Sequence, residues 1–425
     1  MADTKTPAAQ HGSDPDAPAP NAVGLGDIVG AYLAKVRGGD LGSLPAILGL
    51  VVLVVVFSAL KPERFPSQFN VANLLNQSAA IVVLSMGLVF VLLLGEIDLS
   101  AGYTGGTAAA VTGVVMTEKG WPWIPSLMAC LLTGAVIGLV IGMLVARLGI
   151  PSFVVTLAFF LGLQGVMLVI IGEGGTIAYR NDVILKLNND PMPVWLGWTF
   201  ALVGLAAYAL LTWRTDTRRR KAGLESQPVL LWGIKTAGLV ILVVAFVAYL
   251  SMERSPNPAL KSIKGVPLVV ALVVALLIVL SYVLSRTAWG RHIYAVGGNT
   301  EAARRSGINV FRVKLTCFVM CSTMAAFAGL LIASRNNSVS PTTGGSTTLL
   351  FAVGAAVIGG TSLFGGKGRV ADAVIGGIVI AVIANGMGLM RQSTGNVYII
   401  TGLVLLVAAS VDAISRRQAA ASGRA

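Results

Sequence analysis

The chain has 425 residues, of which 55% are apolar and 12% charged, with 50 glycines. Soluble domains carry about 25% charged residues and about 7% Gly, so a soluble globular protein, a disordered chain and a disulfide scaffold are all excluded. The formal charge of +13 would suggest nucleic acid in a soluble protein. In a membrane protein it reflects the Lys and Arg of cytoplasmic loops, and no nucleic-acid-binding motif accompanies it.

The fold class expected is therefore an all-α polytopic membrane protein with about 10–12 transmembrane helices, some short or broken. At about 20 residues per span, the loops left over are too short for a catalytic domain. Any energy-transducing enzyme this chain needs must be another chain.

In chain order, residues 1–40 read as a disordered cytoplasmic tail, Ala-, Pro- and Asp-rich over its first 26 residues, with a short interfacial helix within 27–40 as the alternative. The tail lacks a charged n-region followed by an apolar h-region and does not read as a cleavable signal peptide. The remainder, 41–415, carries apolar runs at 42–60, 79–95, 97–116, 124–146, 152–171, 194–213, 229–250, 266–285, 315–334, 348–362, 370–390 and 396–414. The second, third and tenth are short or Gly-rich and read as candidate half-helices beside a cavity.

Residues 416–425 form a basic tail. With a cytoplasmic N-terminus and every run crossing, the inside loops hold 17 basic residues and the outside loops 10. This bias predicts both termini inside. Two clusters decide it, a basic loop at 214–228 and another at 286–314.

Three motifs stand out. In LLLGEIDLSAGYTGG, residues 92–106, Glu96 and Asp98 interrupt apolar sequence. A carboxylate at bilayer depth is costly unless paired or wet, and Ser100 is placed to cap a helix starting after it. The segment is either a broken-helix element beside a path, with Asp98, Ser100 and Glu96 lining it, or a solvated turn at the cytoplasmic surface.

The second motif, within residues 290–314, is GGNTEAARRSGI. Asn299 or Thr300 can cap a short helix through Glu301, Ala302, Arg304 and Arg305 that Gly307 terminates. Its charges suit the helix dipole. It is either a docking element for a cytoplasmic partner or an ordinary positive-inside loop.

The third, AAVIGGTSLFGGKGRV at 355–370, tempts a phosphate-loop reading. The Walker spacing fails, because Thr361 stands where the first Gly belongs and Gly368 where Ser or Thr belongs. A tight turn anchored by Lys367 and Arg369 remains.

Elsewhere, Asn385 is mid-span and either bonds a neighbouring helix or lines a path, while Asp372 begins a span. Gly134, Gly138 and Gly142 recur at small-xxx-small spacing, which suits close helix packing. Cys130, Cys317 and Cys321 read as small buried residues, and the two histidines, His11 and His292, make no metal site. No nucleophile–base constellation is present.

Taken together, Glu96-Ile-Asp-Leu-Ser, Ala295-Val-Gly-Gly-Asn with Glu301-Ala-Ala-Arg-Arg-Ser-Gly-Ile, and Val357-Ile-Gly-Gly-Thr-Ser-Leu-Phe-Gly-Gly-Lys-Gly resemble the permease subunits of bacterial monosaccharide ABC importers. That class includes ribose, xylose and galactose permeases. The resemblance spans about residues 65–415, and the extra basic loop looks more like the xylose type. It implies a non-catalytic subunit in the bacterial plasma (inner) membrane that pairs with a second copy of itself.

The resemblance also implies a cytoplasmic ATPase carrying ATP and Mg, and an extracytoplasmic sugar-binding protein, with no cofactor on this chain. It implies ATPase docking by Gly297, Gly298, Asn299, Glu301, Ala302, Arg304, Arg305 and Gly307. Two departures stand out: Leu349 and Phe351 replace acids common in relatives, and Glu96 stands where relatives often have Gly. The competing expectations are an ion-coupled transporter using Glu96 and Asp98, and a membrane scaffold that recruits a protein through 290–314.

Overall fold

In a computed structural model of the full chain, the residues described are 42–223, 228–255, 257–259 and 262–421. The expected tail over 1–40 lies outside them, as do residues 422–425. The architecture is helical throughout, and the sheet content among the described residues is one two-residue antiparallel pair. Eight helices are long and apolar enough to cross a membrane, and three more are apolar but shorter.

The helices are α1 Leu44–Leu60, α2 Gln68–Leu92, α3 Ala101–Gly113, α4 Trp123–Ala146, α5 Ser152–Ile171 and α6 Asp182–Asn189. They continue with α7 Val194–Lys221, α8 Val229–Ser251, α9 Leu268–Arg286, α10 Ala288–Gly298, α11 Thr300–Arg305 and α12 Val310–Asn336. The last three are α13 Ser346–Gly359, α14 Val370–Leu389 and α15 Thr394–Ala421. Each of the twelve apolar runs coincides with a helix; α6, α10 and α11 are short additions between them.

Several boundaries differ from the sequence reading: the third run is helical only from Ala101, and the last, expected to end at 414, is helical to Ala421. The second run, expected from residue 79, begins at Gln68 and gives a helix of 25 residues. Its polar first turns hid it. Ser67 caps it by accepting from the Asn70 backbone N–H at 3.3 Å, and the buried Asn70 amide is satisfied from outside the helix. The basic stretch expected in a loop from 214 is helical to Lys221, where four consecutive cations complement the carbonyl end of α7.

The core is built around α2 and α12. Residues 82–93 are nearly all buried, and Phe90 and Phe318 are fully enclosed. The Gly134–Gly138–Gly142 stripe of α4 lies directly on α12. Cβ atoms there would meet Ser322 O at 2.5 Å, Phe318 O at 2.6 Å and Leu315 Cδ1 at 2.8 Å. Close backbone approach of this kind holds helices together in hydrocarbon, where no hydrophobic force does so.

By contrast α7 and α8 form a peripheral hairpin with few buried residues. Near its closed end Trp213 and Trp232 meet edge to face at 4.9 Å, and the Trp232 indole donates to Thr212 Oγ1 at 2.9 Å. At the opposite end of the bundle, β1 (Ile177–Ala178) pairs with β2 (Ser338–Val339).

Candidate functional site: a docking platform beneath two short helices

All three motifs meet at one end of the bundle. Thr287 caps α10 by accepting from the Gly290 N–H at 3.1 Å. Asn299 caps α11 through Oδ1, which accepts from Ala302 N–H at 2.9 Å. Gly307, at φ +85°, turns the chain away, as the sequence predicts. The underside of this unit is buried through Ile293, Val296 and Ala303. The outer side carries Glu301, which pairs with Arg304 at 3.3 Å and Arg305 at 3.5 Å, all three well exposed.

The unit rests on the other two motifs. Gly297 faces Leu93 so closely that a Cβ would lie 1.8 Å from the Leu93 carbonyl oxygen. That same carbonyl accepts from Gly366 N–H at 2.8 Å. The Tyr294 hydroxyl donates to Gly368 O at 2.7 Å, and burial pushes this phenol above its usual value, with Asp372 nearby adding to the shift. Lys314, in the first turns of α12, forms an ion pair with Glu96. Nothing local in the sequence links two residues 218 positions apart.

Beyond Glu96 the chain turns back into the bundle. Ile97 N–H donates to Ser152 Oγ at 3.3 Å, and its carbonyl accepts from Thr156 Oγ1 at 3.2 Å. Asp98 and Ser100 are fully buried. Asp98 lies beside Cys321, which is eleven residues into α12 and so about 16 Å along its axis. The solvated-turn alternative therefore fails for Asp98.

The expected Ser100 cap also needs correction. Ser100 Oγ makes no cap bond; it donates to Asp98 Oδ1 at 2.6 Å, and Ser100 N–H donates to the same oxygen at 2.9 Å. One carboxyl oxygen of Asp98 accepts both bonds, so Asp98 takes the turn at the head of α3. Its Oδ2 accepts no hydrogen bond.

α3 spans only 13 residues before a π-helical turn at Val114–Glu118. It crosses the non-helical stretch that leads into the 14-residue α13. Cβ atoms on Gly102 and Gly106 would lie 2.3 Å from Gly344 O and 2.2 Å from Thr343 O. Leu349, at an expected acid position, is buried beside Gly102, and Phe351 packs edge-on to Tyr398 at 6.0 Å.

Asn385 lies away from this crossing. It exchanges two 2.9 Å hydrogen bonds with Asn70 of α2, and Asn70 also donates to Phe65 O at 2.9 Å. Asp372 takes the N–H of Arg369 at 2.8 Å and its guanidinium at 3.0 Å. The cysteines are buried and unpaired. Among the described residues no cluster of His, Cys, Asp or Glu is arranged to hold a metal.

Residues 70–409 match the family described as "Branched-chain amino acid transport system / permease component". The chain belongs to that permease family. Among its relatives, the "Xylose transport system permease protein XylH" of Escherichia coli K12 is 36% identical over 372 residues, covering 88% of this chain and 92% of the relative. The protein of the same name from Haemophilus influenzae is 32% identical over 385 residues, 90% and 99% of the two chains. The "Ribose import permease protein RbsC" of Escherichia coli K12 is 30% identical over 371 residues, 86% and 92%. No solved structure matches significantly.

Proposed function

We propose that this chain is the membrane-spanning permease subunit of an ATP-driven importer for xylose or a related monosaccharide, in the bacterial plasma membrane. The family's printed description names branched-chain amino acids, but the full-length relatives above are named for pentose transport, which favours a sugar. The chain itself performs no covalent chemistry. ATP and Mg belong to cytoplasmic ATPase subunits, and sugar arrives from an extracytoplasmic binding protein. The end bearing the docking unit is cytoplasmic, with both termini, and two copies of the chain form the path.

The observation that carries this reading is the docking unit. An exposed, capped, charged helix rests on the loops that lead into α3 and α14. A push on that surface reaches the head of α3, where Asp98 and Ser100 stand, with no long flexible segment between. Alternating access then follows from ATPase closure shifting the balance between two arrangements of these helices. The ion-coupled alternative has less support, because Glu96 is already neutralised by Lys314 and Asp98 Oδ1 is engaged at the α3 head.

The test is Glu301→Lys combined with Arg304→Glu. Both side chains are exposed and their mutual pair is worth only about 0.3–0.5 kcal/mol, so the protein folds. Purified wild type brings a P-loop ATPase with it, the variant does not, and sugar uptake is lost. Equal ATPase recovery and equal uptake would refute the proposal. Uptake by wild-type vesicles lacking ATP, driven by a proton gradient, would favour the ion-coupled reading.

A further inference from the structure

The peripheral hairpin carries a basic end that the docking unit does not use. α7 has 28 residues and is about 42 Å long, at 1.5 Å per residue. That exceeds the ~30 Å hydrocarbon of a bilayer by about 12 Å. Trp195 and Trp213 of this helix are 18 residues apart, about 27 Å along its axis. Tryptophans favour the two edges of the hydrocarbon, and this spacing sets one at each edge. Residues 214–221 then project through the head-group layer on the Trp213 side.

One face of α7 is turned away from the protein. Leu196, Val203 and Leu210 recur at seven-residue intervals, about two helical turns, and the last two are 63% and 49% exposed. Arg214, Arg218 and Lys221 continue that face, four, eight and eleven residues beyond Leu210. All three are exposed. Among the described residues, none of the three has an ion-pair or hydrogen-bond partner for its side chain.

The acid of this segment does not cancel them. Asp216 lies two residues from both Arg214 and Arg218, and so on the opposite side of the helix. It shares that side with the buried Leu205, eleven residues earlier. The cations are thus aimed at surrounding lipid, at the depth of its phosphates, while the acid is aimed at the protein. A bias that sets topology counts cations whichever way they face; the alignment of these three with the lipid-facing stripe is what points to phosphate.

We propose that the end of α7 binds anionic phospholipid, with head-group phosphates held by Arg214, Arg218 and Lys221. A guanidinium takes phosphate oxygens through two parallel N–H bonds. α7 and α8 bury little against the bundle, so head-group charge supplies a tether that protein contacts do not. The proposal needs only that α7 crosses a bilayer. It stands or falls separately from the transported solute and from which end of the bundle is cytoplasmic.

The experiment uses the full chain with Thr217→Cys, a position on the same face between the three cations. The native cysteines are buried and inert, so a fluorophore goes to the new thiol. The protein is placed in phosphatidylcholine vesicles containing a small, equal fraction of spin-labelled phosphatidylglycerol or spin-labelled phosphatidylcholine, and quenching is compared. Phosphatidylglycerol is expected to be preferred near the label at least about fivefold, the worth of one basic side chain at an anionic surface. The preference falls as salt is raised.

Adding Arg214→Gln/Arg218→Gln/Lys221→Gln makes the two lipids quench equally, whereas adding Arg214→Lys/Arg218→Lys keeps the preference. The positions are exposed, and Gln and Lys are good helix formers, so both variants fold. The same fluorophore at Leu196→Cys, on this face at the other edge, shows no preference. Equal quenching by the two lipids with the cations in place, or an equal preference at position 196, would overturn the proposal. So would an intact preference in the Gln variant; if ATPase recovery were lost at the same time, the stripe would be a protein contact instead.

Discussion

Gly297→Ala tests whether the seam between the docking unit and the 93–96 loop transmits motion. The added Cβ would sit 1.8 Å from Leu93 O and 2.9 Å from Gly366 N. Ordinary contact begins near 3.4 Å, so the seam must open by about 1.6 Å. Both obstructing atoms are backbone, and no side-chain rotation relieves them. Opening breaks the 2.8 Å Gly366–Leu93 hydrogen bond, worth about 1 kcal/mol, and overpacking adds roughly 1–3 kcal/mol.

If docking requires the closed seam, about 2–4 kcal/mol must be supplied again on binding, which lowers apparent ATPase affinity about 30- to 900-fold. Gly298→Ala is the matched control, because its Cβ meets nothing within 4 Å. The assay is ATPase recovery at graded salt, followed by sugar moved per ATP hydrolysed in vesicles. Gly297→Ala is expected to lose both while Gly298→Ala keeps both. Equal behaviour of the two variants would refute the reasoning.

The Asn70–Asn385 pair is a helix clasp worth about 0.6 kcal/mol per hydrogen bond. Asn385→Leu is expected to cost about 2–3 kcal/mol, because it leaves a buried amide short of partners. Asn70→Leu/Asn385→Leu should cost less than the sum of the single changes in detergent unfolding; strict additivity would remove the clasp. Asp98→Asn retains an oxygen acceptor at the α3 head and should leave the unfolding midpoint near wild type, whereas Asp98→Ala should lose about 1–3 kcal/mol.

In the loop after α8, Glu253 is held down to about 2 by Ser262 Oγ, then by the N–H groups of Ile263 and Ser255. A lowered folded-state value stabilises above the unfolded one, 4.5, and that support fades as pH falls from there towards 2. Proteolysis of residues 252–267 should accelerate over that window in wild type and be pH-independent in Glu253→Gln.

The eight long helices were legible because each carries an apolar run of adequate length, which hydropathy reports directly. The start of α2 was not legible, since Gln68, Asn70 and Asn73 look like loop until Asn385 appears opposite. The short helix α11 was legible in detail, because its cap, charges and stop all lie within nine residues. Asp98 was half legible. An acid amid apolar residues marks something, but local sequence favoured Ser100 as the cap and gave no depth. The Glu96–Lys314 pair was invisible for the same reason as the Asn clasp: long-range pairing leaves no trace in one sequence.

The glycine-rich third motif shows why the three motifs belong together. Read as a phosphate loop it fails on spacing. Its glycines serve contact between backbones: Gly365 lies against Gly297 and Gly95, and Gly366 against Gly298. Side chains at such a seam would have rotamers, and rotamers absorb displacement. Backbone against backbone does not, so movement of the exposed α11 passes through Gly297 to Leu93, then along four residues to Asp98 and the head of α3. On the proposed reading, the three motifs are thus where a partner's push enters and where it reaches the membrane interior. A chain that hydrolyses no ATP itself needs that rigidity in order to be driven by one that does.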